Sequence, residues 1–167
     1  FNYLLDIKMK NHNNDKEVIL ILGDYLSSTN YKILEIIKNS KLKDIKNIYF
    51  KPHPHDVHKY KVNKLKITNK DNKYFFKNSS IVISPGSTAA VLEYLYFGKK
   101  VFIYDNPNDL DLSPLKHLNY QFKFKSVKDL NNLLKAKFNK KKITNKFKKY
   151  NFLDKNLKKW KNFLNIK

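Results

Sequence analysis

Residues 80–98 read SIVISPGSTAAVLEYLYFG and contain one complete strand–turn–helix unit. Ser80–Ser84 is a short apolar run with β-branched residues, which predicts a strand. Pro85-Gly86 stops it. Ser87 is placed to N-cap a helix over Ser87–Phe97, with Ala89, Ala90, Leu92 and Leu95 in its interior and Gly98 at its end. A strand that runs through a Pro-Gly break into a helix is one half of a parallel crossover.

The same grammar repeats on both sides. Downstream, Lys100–Tyr104 (KVFIY) predicts another strand, Gln121–Phe124 a sixth, and Ser126–Ala136 a helix capped by Ser126. Upstream, Glu17–Gly23 (EVILILG) carries a continuous apolar run, Val18–Leu22, of the kind buried on both faces of a parallel sheet. Tyr31–Asn39 places Ile33, Leu34, Ile36 and Ile37 at helical spacing. Asn47–Lys51 is a strand stopped by Pro52, Leu65–Thr68 a shorter one, and Tyr74–Asn78 one or two helical turns. Alternation of strand and helix every 20 to 30 residues predicts an α/β fold, a doubly wound Rossmann-like parallel sheet with flanking helices. Ligands of such sheets bind outside the carboxyl ends of the strands, so the loops after the strands are where chemistry is sought.

Three segments follow from composition. Residues 1–16 are polar and Asn-rich and read as a linker or lead-in segment; residues 17–137 form the Rossmann-like lobe; residues 138–167 are basic and amphipathic. In the last of these, Ile143, Phe147, Tyr150, Leu153, Leu157, Trp160 and Leu164 recur at steps of three and four, as one C-terminal helix or two broken near Asn151. Docking on the core is one reading of this helix, and lying on an anionic membrane surface is the other. The sequence opens on Phe1 instead of Met, which fits a piece of a longer polypeptide.

The chain of 167 residues has no cysteine, so disulfides and thiolate metal sites are excluded and a reducing, cytoplasmic setting is expected, extending to the inner face of the plasma membrane. Its apolar runs are too short to span a bilayer. The net charge is +21, from 35 basic and 14 acidic residues. A polyanion partner is one explanation. Every basic residue is Lys, however, and Asn is abundant, which is what drift in an A/T-rich coding sequence produces. Without the bidentate Arg fork, no sequence-specific nucleic-acid partner is expected.

Four groups of residues sit where ligands are expected. The first is Lys51-Pro52-His53-Pro54-His55 after the second strand. Two prolines stiffen the turn, so His53 can offer a hydrogen bond to a phosphate oxygen with little entropy lost, and Lys51 adds positive charge. A solvated structural turn is the alternative, as is a metal site at His53, His55, Asp56 and His58, although their spacing matches no zinc pattern. The second is Ser84-Pro85-Gly86-Ser87-Thr88, where a close-approach glycine and a hydroxyl-rich helix start suit an anion. It is neither a Walker loop nor a nucleophile elbow, and a purely structural turn is equally consistent with it. The third is Glu93 on the following helix. It reads either as a partner of ribose hydroxyls or as half of an ion pair with Lys51 or Lys99. The fourth is Asp105–Leu115 (DNPNDLDLSPL), an acidic loop in a basic chain that carries Asp105 and Ser113. Its carboxylates lack the spacing of an EF-hand, and no metal or other cofactor is expected.

Taken in order, K-P-H-P, S-x-G-S-T-A-A, E-x4-G-K and L-S-P-L resemble the C-terminal, donor-binding half of GT-B-type glycosyltransferases of bacterial surface polysaccharide synthesis. The likeness is to Leptospira-type surface carbohydrate biosynthesis proteins and, more distantly, to sialyltransferases and Kdo transferases. It covers roughly residues 17–137. It implies a nucleotide-sugar donor, a CMP-sugar first among them, with His53, Ser87 and Thr88 at the phosphate and Glu93 at the ribose. It implies a metal-independent, inverting transferase whose second Rossmann-like lobe, with acceptor site and catalytic base, lies outside this chain. Lys100 stands where many relatives have a proline, which alters a turn more than a binding group. A non-catalytic nucleotide- or polyanion-binding module and half of a sugar-nucleotide epimerase are the alternatives.

Overall fold

The computed structural model describes residues 4, 7, 17–62, 64–108, 110, 113–151 and 158–164. Strands β1 (Ile19–Leu22), β2 (Ile48–Lys51), β3 (Leu65–Ile67), β4 (Ile81–Pro85), β5 (Lys100–Tyr104) and β6 (Lys123–Phe124) form one sheet in the order β3-β2-β1-β4-β5-β6. Every pairing is parallel, with Ile19 opposite both Ile48 and Ile81. This is the Rossmann-like α/β fold expected from the strand–helix alternation.

The pleat divides the core. Ile19 and Ile21 of β1 face Ile33, Leu34 and Ile37 of α1 (Ser27–Lys38) and, farther along, Leu130 of α4 (Val127–Lys135). Leu20 and Leu22 face the other way, onto Phe75 and Phe76 of α2 (Asn72–Asn78) and Val91 and Leu95 of α3 (Val91–Tyr96). Burial on both faces is why β1 had to be apolar throughout. Local signals close the helices: Asp71 accepts from Lys73 N at 2.7 Å, and Ser126 and Asp129 form a capping box.

Three expectations need correction. Ser87 is not a helix N-cap. Residues 86–90 continue as turn, α3 begins only at Val91, and Ala90 occupies the cap position. The Ser87 hydroxyl is instead taken by Asp24, as described below. The N-terminal segment is more than a linker, because Leu4 is 2 % exposed and packs, with Ile7, on the α2–α3 side of the core. Finally, α1 begins at Ser27, four residues before the apolar spacing starts.

Two further helices follow the lobe, α5 (Lys140–Asn151) and α6 (Lys158–Phe163). α5 packs against α3 and buries Phe147, with Ile143 beside it. Leu153 and Leu157 lie outside the described residues. No helix among the described residues is long and apolar enough to cross a membrane.

Gly98 ends α3 with φ +68°. A Cβ there would also stand 2.4 Å from Lys140 Cε and 2.7 Å from its Cγ. Gly98→Ala should therefore cost about 1–2 kcal/mol of left-handed strain plus displacement of Lys140. Thermal unfolding should fall by about 2–8 °C, and an unchanged melting temperature would show that α3 can end without the left-handed turn.

Candidate functional site

In this strand order the chain runs outward from β1 to β3 and returns to place β4 on the other side of β1. Loops leaving β1 and β4 therefore diverge, and a crevice opens between them at the carboxyl edge. A cleft of about 660 Å³ lies there, lined by Asp24–Leu26 after β1, His53 after β2, Pro85–Ala89 after β4, and Tyr104–Asn106 and Asn108 after β5. His53, Gly86, Ser87, Thr88 and Asp105 are thus brought together.

The orientation of His53 is fixed locally. Its Nδ1 accepts from His55 N at 3.3 Å, and its carbonyl accepts from Asp56 N at 2.9 Å. An acceptor role for Nδ1 leaves the proton of the neutral ring on Nε2, which makes that nitrogen a donor. The rings of His53 and His55 stack with centroids 5.5 Å apart. Beneath this turn, Gly23 N donates to Lys51 O at 2.8 Å.

The loop after β1 supplies residues the motifs did not point to. Asp24 is 8 % exposed; its carboxylate accepts from Leu26 N at 2.9 Å and from the Ser87 hydroxyl at 2.8 Å. Asn30, fully buried on α1, accepts from Asp24 N at 2.6 Å and donates to Asp24 O at 2.9 Å. The same amide donates to Asp56 Oδ2 at 2.8 Å and contacts Tyr60 OH at 3.1 Å. Tyr60 OH also donates to Asp56. Burial pushes the Asp56 carboxyl up, but the hydrogen bonds from Tyr60, His58 and Asn30 outweigh it and hold it below the usual carboxylate range. Burial and the Asp56 contact push the Tyr60 phenol up to about 12. Asn30 thus ties the β1 loop to the His53 loop. A Gly-Asp pair directly after the first strand, at a switch point, was the signal for Asp24; a polar residue within a helix gave none for Asn30.

On the β4 side, no intramolecular hydrogen bond among the described residues uses the backbone N–H of Ser87, Thr88, Ala89 or Ala90. With α3 only six residues long, these N–H groups, more than a helix dipole, are what the turn offers an anion.

The remaining candidates lie elsewhere. Ser84 is fully buried within β4. Ser113 is 6 % exposed, and its hydroxyl accepts from Leu115 N at 3.2 Å, a turn-closing role. Lys51 and Glu93 do not line the cleft. Lys51 Nζ donates to Asn72 Oδ1 at 2.7 Å; burial lowers its pKa, and the charges of Asp71 and Glu93 partly offset this. Glu93 stands in the first turn of α3, close enough to act on Lys51 electrostatically. Lys99 donates to Lys77 O at 3.4 Å, and burial together with Lys140 brings its pKa down to about 8. Asp105 carries an ion pair with Lys125 at 3.6 Å, while Asp109 and Asp111 lie outside the described residues. Among the described residues, no three His, Asp or Glu side chains are grouped to hold a metal ion.

No protein-family model matches this chain, and no curated protein matches it.

Proposed function

We propose that this chain is the donor-binding lobe of a glycosyltransferase, holding a nucleotide sugar in the switch-point cleft. The observation that carries the reading is the meeting of a His53 donor, oriented by its own loop, with N–H groups of the turn after β4 that no described residue engages. Such donors can replace a divalent cation in stabilising a leaving phosphate. The cleft's charge favours one phosphate over two. His53 is its one basic lining residue among those described, and Asp24 opposes it, while Asp105 is paired with Lys125. A pyrophosphate would add a second negative charge with no cation to meet it, whereas the single phosphodiester of a CMP-sugar does not. The order of K-P-H-P and S-x-G-S-T-A-A along the chain supports the same class. Tyr25, Leu26 and Leu110 line the cleft yet are 66 %, 44 % and 85 % exposed, which suits a second lobe closing over them and supplying acceptor site and base.

Calorimetry with CMP, a CMP-sugar, UMP and UDP tests the reading. Saturable binding should be tightest for the cytidine monophosphate compounds, and absence of saturable heat with all four would remove it. Asp24→Asn is a sharper probe. The amide removes a negative charge and can donate to the Ser87 oxygen, leaving that hydroxyl's proton for the phosphate. CMP affinity should rise about three- to tenfold. A fall would mean that Asp24 accepts a hydrogen bond from the ligand.

A further inference from the structure

The two C-terminal helices meet the body of the protein differently. α5 uses Phe147 and Ile143 to pack on the core. At the end of α6, Lys161, Asn162, Phe163 and Leu164 are all exposed, Phe163 at 79 % and Leu164 at 55 %. Two adjacent large apolar side chains this exposed give the end of α6 an apolar surface suited to an apolar layer.

The charge around them is lopsided. Residues 140–167 contain eleven lysines and one acidic residue, Asp154, a net +10 in 28 residues. The preceding 139 residues share the other +11. Compositional drift toward lysine would spread the charge evenly along the chain, so this concentration needs a local cause. Position adds to it. Helical geometry puts positions 160, 163 and 164 on one side of the axis and 158, 159 and 161 on the other, so Trp, Phe and Leu positions are segregated from three Lys positions. Lys140, Lys141 and Lys142, at the start of α5, are exposed as well.

We infer that the exposed residues Lys140–Lys142 and Lys161–Leu164 form a docking surface for an anionic lipid bilayer. Phe163 and Leu164 enter the boundary between headgroups and acyl chains, and the lysines of α5 and α6 neutralise the headgroups. A nucleic acid would use the same lysines but would not reward the paired Phe and Leu with an apolar layer. The inference is independent of what the cleft binds.

Co-sedimentation of the whole chain with vesicles tests it. Equimolar phosphatidylglycerol and phosphatidylcholine should capture the protein, and phosphatidylcholine alone should not. Raising salt to about 1 M, where the screening length is about 3 Å, should weaken capture at least about tenfold. Phe163→Ser with Leu164→Ser should weaken it about tenfold while leaving retention on heparin unchanged, since heparin reads charge alone. Lys158→Gln, Lys159→Gln and Lys161→Gln together should weaken it similarly, and more than the same change at Lys59, Lys61 and Lys64. Far-UV circular dichroism and melting temperature, which must match the parent protein, serve as the check on folding of each variant. Undiminished capture of the Phe163/Leu164 variant, or equal loss in both lysine variants, would show that overall charge alone attracts the protein and would overturn the inference.

Discussion

Alanine at Gly23 should both destabilise the protein and blunt its cleft. The new Cβ would stand 2.9 Å from His53 N, 2.9 Å from Pro52 Cα and 3.1 Å from Lys51 O. All three are backbone atoms, and two belong to prolyl-stiffened chain that cannot rotate away. Either β1 or the His53 turn must move, and Gly23 N loses alignment with Lys51 O, now 2.8 Å away. Overpacking of this kind costs about 1–3 kcal/mol, or about 3–10 °C in melting temperature for a chain of this size. Nucleotide affinity should fall as well, because the atoms displaced are those that aim His53. Gly86→Ala is the matched control. Its Cβ would meet Tyr104 O at 3.5 Å and Ile103 Cγ2 at 3.8 Å, which is ordinary contact. Stability should be nearly unchanged, and any loss of CMP affinity there would come from ligand approaching the turn. Equal melting temperatures for the two variants would show that the Gly23 contact is relieved at little cost.

The contrast between the two glycines shows which parts of this structure could be read from sequence. Strands were legible because burial on both faces forces continuous apolar runs, and β1, β4 and β5 announce themselves that way. The sheet edge that holds the cleft followed from parallel alternation, and His53 and Gly86-Ser87-Thr88 meet at that edge. What pattern cannot carry is a contact between distant positions. Ser87 had every local mark of an N-cap, yet its proton goes to Asp24, 63 residues away, and α3 starts four residues later. Lys51 was placed for a phosphate, yet Asn72 and the charges of Asp71 and Glu93 engage it first. Asn30 lay just ahead of the apolar spacing that marked the helix and carried no signal, yet it is a buried hub joining two cleft loops. In each case a specific polar partner, unseen by periodicity, decided the outcome.

That hub bears on the central experiment, His53→Ala. The ring is half-buried at the cleft wall, and among the described residues its one hydrogen bond is accepted at Nδ1 from His55 N. Losing it should leave the fold intact, because Asp56, Asn30 and Tyr60 hold the loop without the imidazole and Pro52 and Pro54 restrict the backbone. Melting temperature should therefore change little. The ligand would lose one hydrogen bond from Nε2 to phosphate, worth about 1–3 kcal/mol, strongest if the ring binds protonated. CMP affinity should drop about 5- to 150-fold, since 1.4 kcal/mol is a factor of ten. His53→Gln separates the two components of that loss. Its amide can donate to the same oxygen but carries no positive charge, so the affinity it recovers over His53→Ala measures the neutral hydrogen bond alone. Unchanged affinity in His53→Ala on a folded protein would mean that K-P-H-P shapes a rigid turn here and that the phosphate reading of the cleft is wrong.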